Sequence, residues 1–304
     1  VFKKFLLATT LISSAAASAY SYELGDLNFF LKQDQKNIAL TGDATTDESR
    51  SSGSTLEQEG FFFKPAFNYG LNDKITLGAS TQYAYMQKVS DETTPANGRY
   101  SQDGLGLTTL NAKYRAVNTD YVVDFGASVA KNFIEGKSGD ASGSMKKHGN
   151  NALDNDYLQV DASMGGHFDL TQEWRLLGGV RHQLSDKKII KSVSNANRSI
   201  DVNSSTDIIL QARYQIRPKK EFMLSAGIDL TYVGSITGSD YSQDARMDKD
   251  FIFQAKYLVT ESFLFNVQYV QSHRPNYDFK ALGTSSEMKN RHYSSLGFGA
   301  NYLF

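Results

Sequence analysis

Five times along the chain, two runs of alternating apolar and polar residues meet at a short turn. Phe61, Phe63, Pro65, Phe67 and Tyr69 lead into Gly70 to Asp73, and Ile75, Leu77, Ala79, Tyr83 and Tyr85 lead away. The unit recurs around Val117 to Thr119, Thr171 to Glu173, Arg217 to Lys220 and Thr260 to Ser262. Alternation with a period of two places one greasy face on each strand, and a tight turn between two such runs is a β-hairpin. Turn centres near 72, 118, 172, 218 and 261 give a repeat of 43 to 54 residues. A propeller blade of that length needs four strands, whereas each repeat here holds two long ones.

A first strand near 36–46 and a last near 291–304 bring the count to about 12. The last run is the most regular: Leu296, Phe298, Ala300, Tyr302 and Phe304 alternate with Gly297, Gly299, Asn301 and Leu303. It resembles the closing strand of Gram-negative outer-membrane β-barrels, whose insertion signal is a terminal Phe with an aromatic two residues before it. The resemblance implies a closed antiparallel up-and-down transmembrane β-barrel over 36–304. It also implies contact with outer-membrane lipids and with the barrel-assembly machinery through Phe298, Tyr302 and Phe304. Tight turns alternate with polar stretches near 47–58, 88–102, 135–155, 187–204, 237–248 and 275–290, expected to be long outer loops. Phe67, Tyr69, Tyr114, Tyr121, Trp174, Tyr214, Phe222, Tyr257 and Phe263 cluster beside the tight turns as a membrane girdle. A secreted β-sandwich or solenoid burying the same faces is the competing architecture.

Residues 1–19 carry Lys3 and Lys4, an apolar run from Phe5 to Ile12 and small residues up to Ala19, the layout of a cleavable signal peptide with its cut near Ala19. Residues 20–35, with Phe29, Phe30 and Leu31, lack alternation and read as a lead-in or an extension of the first strand. With 32 Lys and Arg against 33 Asp and Glu, the charge balance gives no support for a nucleic-acid partner. Cysteine is absent, which excludes disulfides and thiolate metal sites. The five histidines show no metal-ligand spacing, no glycine loop of the phosphate-cradling kind occurs, and no cofactor is expected.

The turn Tyr69 to Asp73, the Gly104-Leu105-Gly106 segment and Lys113-Tyr114-Arg115 are similar to the outer-membrane family linked to the phenol meta-cleavage pathway. That family usually has Asp where this chain has Leu107. If the apolar faces meet lipid, the alternate residues line a lumen, among them Lys64, Lys113, Arg115, Asp124, Asp161, Arg181, Arg213, Asp229 and Lys256. Reflection through the turns sets Lys113 near Asp124 and Asp169 near Arg175. Basic groups outnumber acids at mid-strand, which gives a weak anion preference.

The resulting expectation is a non-enzymatic channel for passive passage of small solutes through a polar lumen. A hydrophobic-solute transporter needs instead an apolar path or lateral opening. A lipid hydrolase would rest on His292 and Ser294, which share a face of the last strand. A loop-mediated adhesin would use 136–155, rich in Gly, Ser, Asn and Lys. Pro65 lacks a backbone N–H and predicts a bulge in its strand.

Overall fold

A computed structural model of the chain describes residues 23–51, 54–90, 99–133, 135–139, 145–148, 156–184, 187–191, 197–201, 204–238, 241–281 and 284–304. The signal peptide expected at 1–19 lies outside them. Twelve long strands appear: β1 (Lys36–Ser51), β2 (Ser54–Asn72), β3 in two pieces (Ile75–Ser80 and Tyr83–Ser90), and β4 in two pieces (Arg99–Leu105 and Leu107–Asn118). Next come β5 (Tyr121–Asn132), β6 (Tyr157–Asp169), β7 (Gln172–Gln183) and β8 (Thr206–Lys219). The last four are β9 (Phe222–Val233), β10 (Arg246–Thr260), β11 (Phe263–Arg274) and β12 (Thr284–Leu303).

Each strand pairs antiparallel with the next, and β12 pairs with both β11 and β1, so the sheet closes into an up-and-down barrel. Closure places Gly42 opposite Phe298 and Ile38 opposite Tyr302, and Lys36 and Phe304 exchange backbone hydrogen bonds at 2.8 and 2.9 Å. No edge remains between the first and last strands, the condition under which a sheet can stand in lipid.

Polarity is inverted relative to a water-soluble domain. Leu110, Val160, Phe253 and Phe298 lie exposed on the outside, while Asp124, Asp207 and Ser272 are buried inside. Such an apolar outer band is stable only against hydrocarbon. The girdle residues Phe67, Tyr114, Tyr121, Tyr214 and Tyr257 stand exposed on this outer face near the tight turns. Trp174 packs against Tyr121 and Phe168, Phe263 packs against Tyr302, and Tyr302 stacks on Phe304 at 5.7 Å. Tyr69 instead turns its hydroxyl to Asp34, donating at 2.7 Å, and Phe222 is half-buried.

Three local expectations need correction. The polar stretch 47–58 is no loop, because the β1–β2 ladder continues to the pair Ser51 and Ser54. Short paired strands likewise fill parts of the other outer stretches, as in Glu135–Gly139 with Met145–His148 and Lys187–Lys191 with Asn197–Asp201. A ladder with water on both sides has no apolar face, so the period-two signal vanishes although the backbone pairing persists.

Pro65 does not bulge its own strand. It keeps register with Leu40 on β1, and the β2–β3 register is the same above and below it. What it does is interrupt the ladder at Thr81 and Gln82, where Thr81 N–H still donates to Pro65 O at 3.1 Å but the reciprocal bond is impossible. The one-residue slip falls on the far side of that gap, between the pairs Ser80–Thr109 and Tyr83–Leu105, around Gly106.

Asp169 does not meet Arg175. The regular β6–β7 register places Gly165 opposite Arg175, and a shift between His167 and Asp169 sets Asp169 opposite Gln172, where Asp169 accepts bonds from Thr171 and Gln172 at the turn.

Closure is testable at the paired hydroxyls of Thr46 and Ser294, 2.8 Å apart on β1 and β12. In this cysteine-free chain, Thr46→Cys with Ser294→Cys is expected to oxidise to an intramolecular disulfide in intact membranes, read as a reductant-sensitive gel shift. Absence of the crosslink under oxidant would show that the two strands are not neighbours.

Candidate functional site

Residues 23–35 are neither a lead-in outside the barrel nor an extension of β1. They form successive turns inside the lumen at the end of the tight turns. Leu24 is buried with Met223, Leu258 and Leu264, and Phe29 and Leu303 pack against this cluster. Phe30 sits under two cations, with Arg115 Cζ 4.5 Å and Lys113 Nζ 5.6 Å from its ring centre.

A turn-rich segment leaves backbone groups without ladder partners, and inside a barrel these must be satisfied by side chains. The lumen wall supplies them. Glu173, on β7, accepts from the N–H groups of Leu27 at 2.8 Å and Asn28 at 3.1 Å, and from Asn28 Nδ2 at 3.0 Å. Arg115 donates to Asn28 O at 2.7 Å, Arg175 to Leu27 O at 3.1 Å and Lys256 to Gly25 O at 2.7 Å. Gln215 links Lys256 to Glu173 and also donates to Gly25 O. At the rim Arg217 pairs with Asp26 and with Glu23. Burial pushes the Asp26 carboxyl above its ordinary range, against the opposing pull of the Arg217 guanidinium.

Two glycines let the segment lie this close to the wall. A Cβ on Gly165 would strike the Asn28 side chain, and one on Gly70 would strike the backbone carbonyl of Lys32. Gly70 also exchanges backbone bonds with the segment's end, accepting from Asp34 N–H at 2.8 Å and donating to Gln35 O at 2.9 Å.

The residues expected to line the lumen fall into separate groups. Lys113 and Arg115 converge on Asp124 at 3.2 and 2.9 Å, beside Phe30. Arg213 pairs with Asp229, and Arg181 pairs with Asp207 at 2.9 Å. Lys64 lies apart, bound to Asp43 at 2.7 Å. Asp161 accepts from Gln159 at 3.3 Å. Near the outer mouth Arg274 bridges Asp248 and Asp250, and Arg246 joins Asp248.

Glu173 and the segment itself are not legible as site residues in the sequence: Glu173 reads as part of a turn, and the segment has no periodicity. The apolar trio Phe29, Phe30 and Leu31 beside unpaired turns is the one signal that an interior position was required.

Just above the segment a cavity of about 210 Å³ is lined by Leu27, Arg175, Leu177, Gln211 and Arg213. A second, outward-facing cavity of about 360 Å³ lies between β1, β2, β11 and β12, with Glu59, Tyr269 and Ser294 among its lining. There the Ser294 hydroxyl is bonded to the Thr46 hydroxyl, and His292 stands opposite Glu48 and His273 in register. The stretch 136–155 lies partly outside the described residues, at 140–144 and 149–155.

No protein-family model matches the chain, and no curated protein matches it. Solved structures share the fold. The COG4313 outer membrane channel from Pseudomonas putida F1 is 17% identical with a TM-score of 0.60, over 93% of this chain and 100% of that one. The transport unit of the autotransporter AIDA-I from Escherichia coli is 11% identical with a TM-score of 0.62, over 99% and 97%. The translocator domain of the autotransporter NalP from Neisseria meningitidis is 12% identical with a TM-score of 0.57, over 99% and 98%. The chain thus has the fold of outer-membrane β-barrels.

Gly165→Ala is expected to dislodge Asn28 and loosen the segment, since it removes three hydrogen bonds worth about 1 kcal/mol each. With Leu27→Cys as reporter, labelling by a membrane-impermeant maleimide is expected to speed up about tenfold or more. An unchanged rate would show that Gly165 does not support the segment.

Proposed function

We infer that the chain is an outer-membrane channel that passes small solutes through its polar lumen, with residues 23–35 as the movable element that sets how far the lumen is open. The observation that carries this reading is the makeup of the inner wall. Charged and amide side chains line it from the rim pair of Arg217 and Asp26 to the outer network of Arg274 and Asp248. A barrel that needed only to be filled could use apolar side chains more cheaply than buried ions. Beside the buried side chains of Leu24, Phe30 and Leu31, the segment is held by hydrogen bonds to its backbone, contacts that water can replace one by one as it moves.

Ion pairing consumes most of the basic excess. Lys64, Lys113, Arg115, Arg181 and Arg213 each sit against a carboxylate. Charge selection in this reading is therefore local rather than a property of the whole lumen. The outer face contacts lipid, and Phe298 and Tyr302 on β12, with Phe304 just after it, are the surface offered to the assembly machinery.

One observation favours a second reading, passage of hydrophobic solutes through the wall. The ladder gap at Pro65, Thr81 and Gln82 lies beside the slip at Gly106, and there the Thr81 and Thr108 hydroxyls bond each other at 2.8 Å. The two readings separate in proteoliposomes. Swelling in small sugars, with no accelerated uptake of an aromatic hydrocarbon, is the expected result. Hydrocarbon uptake without swelling would replace the first reading by the second.

A further inference from the structure

Arg175 and Arg213 are directly opposite each other in the β7–β8 register and face the same cavity above the N-terminal segment. Like charges directly opposite on one face of a sheet repel, and inside a barrel the repulsion is less screened than at a wet surface. Arg213 has a carboxylate, Asp229, at ion-pair distance, whereas among the described residues Arg175 has none that close and feels Asp124 and Asp161 only at longer range. It donates only to the neutral oxygens Leu27 O at 3.1 Å and Ser163 Oγ at 3.2 Å. A guanidinium carries five donors in a planar fork, so both arginines keep donors beyond those their protein partners use.

The rest of the cavity is of a different kind. Leu27 and Leu177 contribute apolar surface, and Gln211 is held by its bond to Asp229 at 3.2 Å. A concave space with apolar walls and a few convergent polar groups is the form of a small-molecule site. Here the polar groups are cationic and suited to the two oxygens of a carboxylate. An inorganic anion would satisfy the arginines but leave the leucine side empty.

We propose that this cavity is a binding site for a small monocarboxylate with an apolar body, of about the size of benzoate, its carboxylate between Arg175 and Arg213 and its body against Leu27 and Leu177. The site rests on the reading of the lumen as a solute path and names the class of solute that pauses there. Because Leu27 belongs to the segment and Arg175 also holds Leu27 O, the site is complete only while the segment is fastened.

The test is calorimetric titration of the full-length protein in uncharged-detergent micelles with benzoate, benzamide and acetate, against empty micelles. Saturable benzoate binding is expected, with benzamide and acetate weaker by about tenfold or more, the loss of a charge-assisted pair or of the apolar contact. Arg175→Gln should weaken benzoate by a similar factor. Leu177→Trp, which fills the cavity and leaves both arginines in place, should abolish binding while the protein keeps its heat-modifiable gel migration. Benzamide binding as tightly as benzoate, acetate matching benzoate, or binding unaffected by Leu177→Trp would each overturn the assignment, as would no saturable binding. Conductance measured in parallel separates the two levels. A conducting protein that ignores benzoate loses the site and keeps the channel, and a benzoate binder that never conducts loses the channel and keeps the site.

Discussion

Within the membrane, every backbone donor and acceptor of the barrel wall has to find a partner without help from solvent on its outer side, and the structure follows from that requirement. Along the wall the solution is the antiparallel ladder, made complete by the pairing of β12 with β1. Inside the wall the same requirement is met by other means. Residues 23–35 have no ladder, and Glu173, Arg115, Arg175, Gln215 and Lys256 take its place, bonding the peptide groups of Gly25, Leu27 and Asn28. Buried charges are costly unless they are paired and hydrogen-bonded, and here the segment's backbone supplies part of what they need. The lumen charges and the segment thus stabilise each other.

This mutual dependence shapes the functional reading. The fold is common to a channel and to autotransporter translocator units, and a fold by itself does not choose among functions. The choice comes from what stands inside. A short turn-rich segment fastened through its peptide groups can detach in steps, whereas the leucine cluster around Leu24 anchors one end of it. The cavity between Arg175 and Arg213 lies beside the fastened segment, with Leu27 in its lining.

Hairpins, strand count and closure were legible in the sequence because the membrane imposes one simple rule: alternate residues face lipid. The turn at Thr171 and the outward faces of Phe298 and Tyr302 follow from it directly. Where that rule stops acting, legibility stops too. Outside the membrane the β1–β2 ladder runs on to Ser51 without an apolar face to announce it. In the β6–β7 ladder Arg175 faces Gly165 and not Asp169, and a single-residue shift after His167 sets Asp169 against Gln172. Pro65 was correctly suspect, yet its missing N–H was absorbed as a ladder gap, with the slip displaced to Gly106. The N-terminal segment was invisible because it is specified by contacts with residues far along the chain, such as Glu173, and not by any local period.

The central claim is that residues 23–35 occupy the lumen and govern passage through it. Single-channel recording in planar bilayers of the protein lacking residues 23–35, beside the full-length chain, tests this most directly. The truncated barrel should insert with the same heat-modifiable migration and show a conductance several-fold larger. A correctly folded truncated barrel with unchanged conductance would contradict the account.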